Sequence, residues 1–292
     1  MTTDGIVQRK MNSNSNMNFH HILRIYIPEY AFESRIEDVL NYCRRTGCGE
    51  VLLFTSSYDM EPSFKPLDEV RAYTEKVLKP AADRLLNAGI TVSVNVMQTL
   101  GHIYFPEEMQ KDFPFQRRIS KDGAVSHAGA CPLCKNLQQW VCDSYRIYAE
   151  LQPATLFIDD DFRTEMDGLS CFCEMHLGKM SERCGRPVTR EEVVAATYNN
   201  KWPVPELRKF YFEATTAGFA NLAAKIRSAV KSVSPLTRLG VMTANWPSGA
   251  SGIDWDIVLQ AMSGDEIPLV RPQIAAYSEG SIRDLSIAFM NP

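Results

Sequence analysis

The sequence has no run of about 18 to 20 uninterrupted apolar residues, the length a helix needs to cross a bilayer. Its first twenty residues are polar and rich in Asn and Ser, without the apolar stretch of a secretory leader. It lacks a basic excess: the formal net charge is −4, which argues against a nucleic-acid partner. No glycine-rich turn follows the first apolar run, since Ile27-Pro28-Glu29-Tyr30 has no glycine, and that weakens a nucleotide-binding doubly wound sheet. No Ser/His/Asp or Cys/His arrangement with a nucleophile turn is visible. With no leader and no span, the expected location is the cytoplasm, where clustered cysteines read as metal ligands or buried thiols rather than disulfides.

With 45% hydrophobic and 23% charged residues among 292, the chain is expected to fold around a large core. Residues 1–20 read as a polar tail and 21–292 as one domain. In that domain short apolar runs alternate with segments of helical spacing. Strands are expected over Ile22 to Ile27, Val51 to Phe54, Ile90 to Met97, Ala154 to Ile158, Leu239 to Thr243 and Leu269 to Tyr277. Between them, helices are expected over Phe32 to Arg45, Leu67 to Ala88 (kinked at Pro80), Leu137 to Leu151, Glu206 to Val233 and Ile253 to Met262, with another starting at Ser281. Alternating strands and helices imply parallel βα units. Strands that end in polar or aromatic residues suit an α/β (β/α)8 TIM-barrel type, whose site lies at the strands' C-terminal ends. Only about six units are legible, so the barrel is expected to be incomplete at its C-terminus. Two long connections, His102 to Pro132 and Arg163 to Pro205, interrupt the pattern, and connections of that length are usually functional.

Asp159-Asp160-Asp161 directly follows the fourth strand. Alternation along a strand would put Asp159 and Asp161 on one face and Asp160 on the other. Carboxylates this close repel, so at least one should hold its proton towards neutrality, as a general acid requires. A solvated loop with a helix cap, or a divalent-cation site, would give the same run. Further along, Cys171-Phe172-Cys173-Glu174-Met175-His176 has Cys-x-Cys-x2-His spacing, which suits one tetrahedral zinc, with Cys131 or Cys134 as fourth ligand; buried free thiols are the other reading. Cys184 is less well placed, and Cys43, Cys48 and Cys142 fall in or beside helical patterns as core.

Taken together, Cys131-Pro132, Asp159-Asp160-Asp161-Phe162 and Cys171-x-Cys173-x2-His176 resemble, in order and spacing, three elements of the family 42 β-galactosidases, which are retaining glycoside hydrolases. In that family a Cys-Pro follows strand three, strand four ends in Asp-Asn-Glu-Tyr with the acid/base glutamate, and a Cys-x-Cys-x2-Cys element helps to hold a structural zinc. The resemblance implies Asp161 as acid/base and a structural zinc held by Cys131, Cys171, Cys173 and His176. It also implies a carbohydrate substrate, a β-galactoside or related glycoside. Two departures stand out: aspartate replaces the glutamate, shortening the acid by one methylene, and Asp160 replaces a sugar-binding asparagine. A non-catalytic sugar-binding barrel, or an inactive fragment, is the alternative.

A retaining mechanism needs a second carboxylate roughly 5 Å from the first. In the family it ends strand seven, which on the present count of six strands is expected to lie beyond Pro292; Glu279 is the one late carboxylate near a strand end and would serve if the count is off by one. Glu29, Asn245, Trp246, Arg271 and Tyr277 are candidate substrate-binding residues; Arg271 could pair with the aspartates, and a tryptophan can stack on a sugar face. His102 and His127 lie in the loop expected to overhang the site, where a lone histidine is more often a surface residue. No nucleic-acid or membrane partner is expected, and a homo-oligomer stays open.

Overall fold

The computed structural model describes residues 21–56, 63–102, 104–105, 107–164, 171–199, 202–243 and 252–272. Six strands form one parallel sheet: β1 (Ile22–Ile25), β2 (Glu50–Phe54), β3 (Thr91–Val96), β6 (Thr155–Ile158), β7 (Arg238–Thr243) and β8 (Leu269–Pro272), in that spatial order. Each pairs with its neighbour in sequence-ordered, parallel register. This is the sheet of about six βα units of a TIM-type barrel, as the alternating pattern requires. Such strands are covered on both faces, which is why β2 (EVLLF) is buried along its whole length.

Helices α1 (Phe32–Thr46), α2 (Leu67–Tyr73), α3 (Lys79–Asn87), α4 (Lys135–Ala149), α7 (Glu206–Val233) and α8 (Trp255–Ser263) connect the strands. Their apolar stripes supply Ile36, Val39, Leu85, Val141, Leu222 and Ile226 to the core shared with Val51, Leu53, Val94 and Val241. α1 stops at Gly47, whose φ of 71° is the left-handed cap a side chain disfavours. The kink expected at Pro80 takes another form. A π-helical turn, Thr74–Leu78, joins α2 to α3, and Pro80, which has no N–H to give to the preceding turn, is the second residue after it.

The two long connections carry structure that periodicity did not reveal. In the first, β4 (Arg117–Ile119) and β5 (Val125–Ala130) form an antiparallel hairpin around the turn at Lys121-Asp122-Gly123. Phe64, Phe105, Phe113 and Phe115 cluster with Trp140 of α4, Phe64 lying edge-on to Phe105 at 5.0 Å and to Trp140 at 5.2 Å. That cluster fastens the excursion to the barrel wall. The second connection contains α5 (Glu174–Cys184) and α6 (Arg190–Thr197), the latter started by a Thr189/Glu192 capping box. No described helix is long and apolar enough to cross a membrane.

Register decides what lines the inner face. Arg24 is level with Leu52, Phe54 with Asn95, Asn95 with Phe157, and Phe157 with Gly240. Phe157's ring fills the space over Gly240, where an added Cβ would lie 2.5 Å from ring carbon Cε1.

Candidate active site and metal centre

Strand β6 delivers the aspartate run to the C-terminal end of the sheet. The expected alternation stops at Ile158, because the Phe162 N–H bonds back to the Asp159 carbonyl at 3.2 Å and turns the chain. The three carboxylates therefore serve three different neighbourhoods, and all are buried.

Asp159 faces inward. Its Oδ2 accepts from Arg24 Nη2 at 2.9 Å and from Asn95 Nδ2 at 3.0 Å, while Arg24 Nε donates to Asn95 Oδ1 at 2.8 Å. The Arg24 guanidinium also lies 3.8 Å from the Phe54 ring centroid, an arrangement that favours its charge. Asp160 is held from both sides: Arg163 Nη1 is 3.0 Å from its Oδ2 and His102 Nε2 is 3.3 Å from its Oδ1.

Asp161 turns to the loop after β3. Its Oδ2 accepts the backbone N–H groups of Thr99, Leu100 and Gly101 at 2.6, 2.7 and 2.9 Å. Burial raises its pKa to about 6, against the opposing pull of His102 and of the amide hydrogen bonds. The run thus does hold one group that keeps its proton towards neutrality. Asp161 Oδ1 is buried without a hydrogen-bond partner among the described residues. His102, Asp159 and Asp160 bring donor atoms within 4.8 Å of one another, yet Arg24 and Arg163 already supply the positive charge a cation would bring.

The remaining expected site residues divide by location. Glu29 is exposed at the start of a 3-10 turn, 3.8 Å from Lys76 Nζ, and serves a helix start. Arg271 Nη1 lies 3.5 Å from Met242 Sδ, and the arginines that do pair with the run are Arg24 and Arg163. Asn245, Trp246, Tyr277 and Glu279 lie outside the described residues. Sequence reasoning passed over Arg24, Asn95, Gln98 and Arg163. A usable signal existed for two of them: Arg24 and Asn95 are polar residues inside buried or half-buried strands, at positions sharing the inner face.

The cysteine element forms a compact centre. Cys131, at the end of the hairpin, meets Cys171, Cys173 and His176 at the start of α5, and all four are buried. Cys173 Sγ is 3.6 Å from Cys131 Sγ, and His176 Nδ1 is 3.5 Å from both. Tetrahedral zinc with ordinary bond lengths places two sulfurs about 3.8 Å apart and a sulfur and nitrogen about 3.6 Å apart, so this cage has the right size. Cys171 Sγ accepts the Ile119 N–H at 3.3 Å, the kind of support that orients a ligand. Hydrogen bonds from Cys131 and Cys171 hold the Cys173 thiol far below its ordinary pKa, while Cys131 is pushed up by the same contacts. Crowded sulfurs that share one negative charge suit a cation in their midst: the buried group could hold a metal. Cys134 is not part of it; its sulfur accepts the Gln116 N–H.

No protein-family model matches the chain, and no curated protein matches it. Solved structures do. The β-galactosidase of the psychrophilic Marinomonas ef1 aligns with 89% of this chain at a TM-score of 0.61 and 13% identity. A family 42 β-galactosidase from G. stearothermophilus aligns with 94% at 0.60 and 12%, and the β-galactosidase of Bacillus circulans sp. alkalophilus with 92% at 0.58 and 14%. The fold is that of the family 42 β-galactosidase barrel, in divergent and partial form. The chain spans 42 to 43% of the length of these three structures. At such identities the likeness shows the fold, and the chemistry has to be argued from this chain's own residues.

Proposed function

We propose that this chain is a glycoside hydrolase-like protein that acts on a β-galactoside or related glycoside by a retaining two-carboxylate mechanism. The observation that carries the reading is Asp161, a carboxyl group raised to about 6 by burial, at the strand end where such a barrel places its acid/base. Three amides fix one of its oxygens, so a proton belongs on the other. Asp159 and Asp160 beside it are each paired with an arginine. Glu279 is the proposed second carboxylate. Asn245, Trp246, Arg271 and Tyr277 are proposed sugar contacts, and the proposed location is the cytoplasm. Cys131, Cys171, Cys173 and His176 are proposed to hold a structural zinc, which would supply a cross-link and no chemistry.

The test is turnover of a panel of aryl glycosides, aryl β-galactosides among them, beside an Asp161→Asn variant. Hydrolysis that falls about a hundredfold or more in the variant is expected of a lost acid/base. No turnover by either protein would sink the enzyme reading. A barrel that binds sugar without cleaving it is the second reading. It is favoured by one feature, that Asp161 is only 2% exposed.

A further inference from the structure

Strand β1 ends the described sheet and pairs with β2 on one side only. Beside its free edge, between β1 and α1, runs a groove of about 550 Å³. Leu23 and Ile25, alternate residues of the strand, form one wall and are only half-buried. Asp38, Asn41, Tyr42 and Arg45 of α1 form the other. These four stand at i, i+3, i+4 and i+7, so they make one stripe along two turns of the helix. All four are exposed, the large Tyr42 ring among them by 40%.

The charges of α1 are divided by side. Towards α3, Glu33 pairs with Arg84 at 2.7 Å, and Glu37 pairs with the same arginine. Towards the groove, Asp38 and Arg45 have no ion-pair partner among the described residues. Arg45, in the last turn, suits the helix dipole; Asp38, in the middle of the helix, has no such reason to be there. What the two make together is a stripe complementary to its own reverse. Laid antiparallel on a second copy, about an axis between Asn41 and Tyr42, it sets each Asp38 against the other copy's Arg45. The same rotation sets each Tyr42 against the other copy's Asn41, beside the apolar wall of Leu23 and Ile25. An acidic or a basic peptide would satisfy one end of the stripe and oppose the other.

We propose that this groove is a two-fold interface between two copies of the chain, with α1 packed against α1 and an Asp38–Arg45 pair at each end. Such a contact is isologous and closes on itself, so it gives a dimer and no larger array. Two short helix faces and their grooves lie at the small end of specific interfaces, so association in the micromolar range is expected. None of the residues at the barrel mouth takes part, and the dimer stands whether or not the chain acts on a sugar.

The experiment is sedimentation equilibrium of the whole chain from about 1 to about 200 μM, a range that brackets micromolar dissociation. The samples are the wild type, Asp38→Arg, Arg45→Asp, the variant carrying both changes, and an equimolar mixture of the two single variants. Both positions are exposed, so the substitutions leave the core intact. Each single reversal sets like charges together at both ends of the stripe and should weaken dimerisation about tenfold or more. The double variant restores opposite charges at both ends, and so does the mixed dimer of the two single variants. Both should therefore associate about as well as the wild type. A wild type that stays monomeric throughout overturns the interface, as it would if another segment of the same chain filled the groove. A dimer that the single reversals leave unchanged overturns it too, because the contact would lie on another face. So does one that neither the double variant nor the mixture restores, because the two-fold pairing would then be absent.

Discussion

Asp161 shows how one side chain can be committed to the fold by its hydrogen bonds and still have its pKa raised by burial. Its pKa of about 6 lies above the ordinary carboxylate range, so the fold prefers the neutral acid. The sign follows. Stability from this group is fully present below about pH 4 and is lost as pH rises through about 6, a swing of roughly 3 kcal/mol. Asparagine keeps the oxygen that Thr99, Leu100 and Gly101 donate to and has no charge to form. Urea unfolding of wild type and Asp161→Asn at pH 4 and pH 7 should therefore show the difference between them moving towards the variant by up to that amount. A difference independent of pH would refute the assignment. The aspartate run made a raised carboxyl group legible in the sequence; which member it would be was indicated only by the family resemblance, and its physical cause was not legible. That depends on the loop after β3 folding over Asp161 and on Arg24 reaching across the sheet to Asp159, and neither contact is local in the chain.

At the scale of elements, legibility followed apolar content. α7 was expected over Glu206 to Val233 and is found there, because 28 residues of amphipathic pattern leave little choice. The hairpin strands RRI and VSHAGA and the helix EMHLGKMSERC were missed: two are short and polar, and the buried face of the third is only His176, Leu177 and Met180. The pairing of β6 with β7 illustrates what register adds. Phe157 can face inward only because position 240 is glycine. Gly240→Ala would place a methyl 2.5 Å from the ring, and overpacking of this kind typically costs about 1 to 3 kcal/mol. Denaturant unfolding should show that loss, and Phe157→Leu introduced with it should recover part of it. A Gly240→Ala variant as stable as wild type would mean that the ring does not occupy this space.

Across the whole molecule, the proposed zinc would tie together the two long connections. Cys131 closes the hairpin after β3, and the other three ligands open the helix after the β6 turn. Both connections border the mouth, so the metal would hold its rim as well as its own loop. Purified protein is expected to contain close to one equivalent of zinc, and fewer than about half would count against the site. Removing the metal with a chelator should lower the thermal midpoint and speed proteolysis in residues 171–199, while the six-stranded sheet persists. Equal midpoints with and without chelator would argue for buried free thiols instead.

Strand and helix alternation, the polar strand ends and the spacing of the cysteines were determined by the sequence alone, since each is a local pattern that elementary sterics and ligand geometry constrain. Spacing left Cys131 and Cys134 level and the three aspartates undivided, and only the family resemblance favoured Cys131 and Asp161; the tertiary structure supplied the physical reason for both, and the choice of Arg24 over Arg271 as the partner of Asp159. In every one of these cases the deciding partner lies tens of residues away, and whether a thiol or a carboxylate keeps its proton is set by the water the fold removes from it.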